Sequence, residues 1–146
     1  VAEFAFMVGR NDCIDSRRQP GSNEWVDGTR DWDARYFMNG FGIVDTGRSG
    51  PASNGNVRVF DAATGKWHVT FYSMPTYSSG VWKGCKTGDD IVLEKPQKAL
   101  GTTFAGVSRL TFHNIREEGF DSKGEWVSDN GLVVFPFWTI SCRKLS

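Results

Sequence analysis

The chain is predicted to be all-β, an antiparallel up-and-down barrel of about ten strands in sequential order. Three observations carry that expectation. Apolar stretches are short and end at turn residues, most clearly Asn39-Gly40 between residues 30–38 and 41–44. Asn and Gly both tolerate the positive φ of a type I′ turn, so this dipeptide between apolar runs marks a hairpin. Helical periodicity is confined to residues 1–9, where Phe4, Met7 and Val8 share one face and would form a short lid helix. The connections are short, so consecutive strands pair, and closing the sheet removes the two edges an open meander would leave. A β-sandwich would need longer crossovers. The 146 residues fit one domain, 1–146, able to bury a core unaided by metal or disulfides.

In chain order, a lead-in and first strand fill residues 4–18 and stop at Gln19-Pro20-Gly21-Ser22-Asn23. Residues 24–38 form a long strand, with Asp27-Gly28 a place for a bulge, and 41–46 return from it. Residues 47–56, all Gly, Ser, Pro, Ala or Asn apart from Arg48, read as a mobile loop at a barrel mouth. Residues 57–61 and 66–73 make a second hairpin, and a Pro-containing connection over 74–79 leads to a third, 81–86 with 91–95. Residues 104–117 read as a long strand and 125–128 as a short one, and 132–143 close the sheet.

Alternation assigns faces, the more apolar set going inward. Trp32, Ala34, Tyr36 and Met38 point in by this rule, as do Trp67, Val69 and Phe71, and Leu110, Phe112 and Asn114. A one-residue bulge would reverse any of these assignments. The last strand is apolar on both faces, with Val133, Phe135 and Phe137 on one and Val134, Trp138 and Ile140 on the other. Pro136 cannot donate to a ladder and belongs at a bulge or an unpaired position. One of these apolar rows would lie outside and need a cover, so a homodimer with Trp138 at its interface is expected.

Composition narrows the function. Seventeen Lys and Arg balance seventeen Asp and Glu, and no basic run exceeds Arg17-Arg18, so the footprint of a nucleic-acid binder is missing. No apolar run approaches the ~20 residues of a membrane helix. Cys13, Cys85 and Cys142 are too dispersed for a disulfide framework, and their odd count points to a reducing compartment. With no signal peptide visible, a cytoplasmic protein is expected. Closure would still bring the strands of Cys13 and Cys142 together, which leaves one bridge open to formation.

No metal or cofactor is expected. His68 and His113 are the only histidines, and no Cys-x-x-Cys, nucleophile elbow, phosphate loop or dinucleotide fingerprint is present. Asp31 and Asp33 share a strand face but read as a solvated surface beside Arg30 and Arg35.

Phe6-Met7-Val8-Gly9-Arg10, the Asp31-Trp32 strand, and the hairpin from Val57-Arg58-Val59-Phe60-Asp61 through Thr64-Gly65-Lys66-Trp67 resemble the small lipocalin-like (calycin-type) bacterial domains of unknown function. Asn11 stands where that family's opening carries a tryptophan that plugs the barrel base. The resemblance implies a calycin-type barrel with an apolar central cavity and supplies no catalytic residues.

Twenty aromatic residues in such a barrel point to a pocket for a small apolar or aromatic molecule, lined by Trp32, Tyr36, Trp67, Phe71, Phe112 and Asn114. The alternative is a small cofactor-free enzyme of isomerase, cyclase, hydratase or lyase type acting on a similar substrate. Its acid–base groups would come from His68, His113, Tyr36, Arg35 and Asn114.

Overall fold

A computed structural model of the protein describes residues 2–75, 78–99 and 101–145. A short 3-10 helix (Ala2–Met7) precedes β1 (Gly9–Arg18), β2 (Trp25–Phe37), β3 (Gly42–Ser49), β4 (Ala52–Asp61) and β5 (Lys66–Met74). There follow β6 (Ser78–Thr87), β7 (Asp90–Pro96), β8 (Gly106–Arg116), β9 (Gly119–Ser128) and β10 (Val134–Lys144). Each strand pairs antiparallel with its sequence neighbours, and β10 pairs with β1, so the ten strands close into an up-and-down barrel. Val1 of the expected lid, and Thr76 and Tyr77 of the connection over 74–79, lie outside the described residues.

Alternation decides which side chains enter. Along β1, Asn11, Cys13 and Asp15 are buried inside, whereas Ile14 between them is 67 % exposed. Partners across a ladder share a face, so the register carries this parity around the barrel: Asn11 with Trp32, Trp32 with Gly47, Gly47 with Asn54. The Asn39-Gly40 turn has the expected positive φ at both residues, 60° and 90°, with Met38 also left-handed at 50°. It is longer than a two-residue turn, because the ladder stops at Phe37 and Gly42.

The N-terminal helix closes one end of the barrel. Phe4 and Met7 are fully buried. The Phe4 ring meets Trp67 and Phe112 edge-on at 4.9 and 5.3 Å, and Phe6 meets Phe120 at 5.0 Å. Trp67 donates its indole N–H to Glu3 Oε1 at 2.9 Å, and Asn11 donates to the Met7 carbonyl at 2.9 Å, so polar bonds also hold the plug.

Several expectations are corrected. Residues 47–56 are not a loop: β3 runs to Ser49, β4 starts at Ala52, and only Gly50-Pro51 turns. Their small polar character reflects an inner face turned to a cavity rather than to a packed core. Gly47 belongs to that face, and a Cβ there would lie 2.5 Å from Asn54 Oδ1. The short strand expected at 125–128 is the full-length β9, whose inward Ser122 and Gly124 hide its alternation. No bulge interrupts β2 at Asp27-Gly28, since both pair in register with β1.

Bulges lie elsewhere, and each moves a predicted face. The β8–β9 register shifts between His113 and Arg116, where Asn114 takes a φ of 49°. Asn114 is thereby exposed, contrary to its expected inward position, and Ile115 packs against the core instead. The β9–β10 register shifts between Pro136 and Trp138. Trp138 turns inward and donates its indole N–H to Asp15 Oδ2 at 3.2 Å, while Ile140 is 2 % exposed. Trp138 is thus half-buried toward the interior rather than on the outer face expected of it, and Val134 and Phe135 are the exposed apolar residues at the start of β10.

Cys13 and Cys142 face each other across the β1–β10 ladder and form a disulfide inside the barrel, both 1 % exposed. Cys85 is free and exposed. A bridge of this kind persists in oxidising surroundings, so a cytoplasmic location no longer follows from the cysteine count. Among the described residues no helix is long and apolar enough to cross a membrane.

Close approach of β6 to β7 depends on Gly84, where a Cβ would sit 1.8 Å from the Val92 carbonyl oxygen. Gly84→Ala must push the two backbones apart. It is expected to lower stability by about 1–3 kcal/mol, read from the midpoint of urea unfolding.

Candidate functional site

With one end plugged, the barrel interior opens at the other, beside the Gly50-Pro51 turn and Pro75. The cavity there has a volume of about 610 Å³. Its lining has an apolar part, formed by Trp32, Phe71, Trp82, Leu110, Phe112 and Trp138. It also has a polar and cationic part, formed by Arg17, Arg30, Arg58, Ser53, Asn54 and Asn56. Phe137, displaced by the β10 bulge, borders both this cavity and a second hollow of about 580 Å³ that reaches Trp126 and Phe135.

Two buried carboxylates organise the polar part. Asp45, on the inward face of β3, is 1 % exposed. It accepts bonds from the Trp32 indole N–H (2.9 Å) and the Asn56 amide (2.7 Å) on one oxygen, and from Arg58 Nε (2.7 Å) on the other. The Arg58 guanidinium, thus fixed, lies over the Phe4 ring at 4.8 Å and near Phe112 at 5.3 Å. A delocalised, weakly hydrated cation suits such a site better than an ammonium would.

Asp15, on β1, stands 3.6 Å from Arg30 Nε and 3.5 Å from Arg17 Nε, besides accepting the Trp138 bond. Arg30 also donates from Nη1 to Asn54 Oδ1 at 2.8 Å. Burial, and then the neighbouring charge of Arg17, lower the pKa of Arg30 despite the opposing pull of Asp15. Lys95 follows Ile91 and Leu93 along the inward parity of β7. Its ammonium lies 4.5 Å from the Phe71 ring centre and 5.1 Å from that of Trp82, and burial lowers its pKa.

The structure divides the residues singled out from sequence. Trp32, Phe71 and Phe112 line the cavity. Trp67 is fully buried below it, holding the plug. Tyr36 keeps the inward parity of β2 but lies past the plugged end and is 47 % exposed, so it is corrected from pocket to surface. Arg35 is exposed on the outer face. His68 stands outside at 3.6 Å from Asp61, and His113 borders an outer groove with Asp121 and Ser141. Asn114 donates to Asp121 there at 2.9 Å. Burial alone would raise the Asp121 pKa, but bonds from Asn114, Ser141 and Arg116, with the Arg116 charge, hold it below the usual value.

Arg30, Asp45, Arg58, Lys95, Trp82 and Trp138 are not among the site residues expected from the sequence, which places Trp138 at an interface and Arg30 on a solvated face. A signal existed for the first three. Arg30 has the parity of Trp32, and counting ladder partners from the Asn39-Gly40 turn would have put Asp45, Asn56 and Arg58 on one inner surface. Among the described residues no group of three or more His, Cys, Asp or Glu side chains is placed to hold a metal ion. No protein-family model matches the chain, and no curated protein matches it in sequence.

Proposed function

We propose that the barrel binds a small molecule with an apolar or aromatic body in its open-ended cavity. The observation that carries this reading is an aromatic wall facing a cavity of about 610 Å³, open at one end and plugged at the other. That size falls within the range of small-molecule pockets, and apolar walls with a few placed polar groups are their usual lining. Catalysis finds less support, because neither histidine reaches the cavity. Kinship with calycin-type binders rests on the closed barrel together with the sequence resemblance.

Trp32, Trp82 and Trp138 all border the cavity, so an occupant must alter intrinsic fluorescence. Titration with a panel of apolar and aromatic compounds is expected to give a saturable change with one equivalent bound. Trp82→Ala should weaken that binding about tenfold, the scale of losing one buried aromatic contact. A panel without a single saturable binder, by fluorescence and by native mass spectrometry, would count against the reading.

A further inference from the structure

Resting on that reading, we infer that the ligand carries an anionic oxyacid group, held by Arg30 with Arg17, Arg58 and Lys95 around it, while its apolar body lies on the aromatic wall. The first support is the charge balance of the inner surface. Around the cavity, the inward parity collects four cations, Arg17, Arg30, Arg58 and Lys95, and two carboxylates, Asp15 and Asp45. Other acidic groups near this end face out: Asp27 accepts from Ser16 on the exterior, and Glu94 pairs with Arg109 at 2.8 Å. Within the buried interior Arg30 and Arg58 balance the two carboxylates, and Arg17, with 57 % of its side chain exposed, and half-buried Lys95 add two positive charges toward the open end.

The second support is unused donor capacity. Arg30 and Arg58 are 7 % and 2 % exposed, and Arg30 Nε and Arg58 Nη1 are buried without a hydrogen-bond partner. Buried polar groups are nearly always satisfied, yet the protein's own acceptors leave a donor unmet on each of these two guanidinium groups, both of which border the cavity. Arg30 is also fixed in advance by Asn54 and by Asp15, which is too far away at 3.6 Å to satisfy Nε. A planar fork held in this way suits the paired oxygens of a carboxylate or phosphate.

The test uses four probes sharing one alkyl chain: dodecanoate, dodecyl phosphate, dodecanol and dodecyltrimethylammonium, each below its micelle concentration, by tryptophan fluorescence and native mass spectrometry. The two anions are expected to bind at least about tenfold more tightly than dodecanol, the cation more weakly still, as charge-assisted bonds require. Whichever anion binds tighter identifies the oxyacid. In Arg30→Gln the anion-to-alcohol ratio should fall to within about threefold. Should Arg30→Gln fail to fold, Lys95→Met, altering a half-buried side chain, should lower the same ratio. Dodecanol binding as tightly as the anions, or an unchanged ratio in the variants, overturns the inference and leaves the cavity reading standing. Failure of all four probes to bind, while a member of the wider apolar and aromatic panel does bind, overturns the inference alone; failure of that panel as well overturns both.

Discussion

Replacing Cys13 and Cys142 together by alanine is expected to lower the unfolding free energy by about 2–5 kcal/mol. The two residues are 129 positions apart and join the first strand to the last. Every other ladder connects sequence neighbours, so closure of the barrel is the one pairing that must recruit both ends of the chain. Loop-closure entropy is largest there, and a cross-link over so long a loop removes up to about 5 kcal/mol of it from the unfolded state. Alanine is preferable to serine, because both sites are buried and a hydroxyl would need a partner. The measurement is urea unfolding with and without dithiothreitol, in a Cys85→Ala background that prevents intermolecular exchange. The parent should lose stability on reduction and the double-alanine variant should not respond. A parent whose midpoint ignores the reductant would show that hydrogen bonding alone closes the barrel.

Strand number, order and closure were legible because the information is local. Turn residues punctuate the chain, and short connections leave little choice of partner. Legibility failed where the inner surface is not apolar. Asn54, Asn56, Ser122 and Gly124 all face inward, yet each breaks the alternation by which strands are recognised, so the start of β4 and most of β9 were overlooked. The same rule, polar residues outward, gives no reason to look for Asp45 or Arg58 inside. It holds for a packed core but not for an interior with a cavity, where buried charges can be matched to one another. Two bulges account for Asn114 and Trp138. Pro136 announces its own, because it lacks an N–H; nothing local marks Asn114 beyond the tolerance of asparagine for positive φ. Trp32, Phe71 and Phe112 were found because they lie on uninterrupted stretches where parity survives.

Asp45→Asn should cost about 3–5 kcal/mol, as expected when one member of a buried ion pair is neutralised. The carboxylate accepts three hydrogen bonds within a fully enclosed site, and its side chain has no solvent exposure to replace them. An asparagine has the same shape but must turn one donor toward Trp32 and Asn56 or toward Arg58, so at least one existing donor loses its acceptor. The Arg58 guanidinium, with 3 % of its side chain exposed, would then be a buried cation with no counter-charge. If that charge is the main cost, removing it should relieve the damage. Urea unfolding of Asp45→Asn, Arg58→Met and the double variant separates the causes. The double variant is expected to be more stable than Asp45→Asn, with a coupling of about 0.5–3 kcal/mol, since methionine can fill the space between Phe4 and Phe112 and leaves no charge behind. Strictly additive losses would mean that Asp45 acts through Trp32 and Asn56 instead.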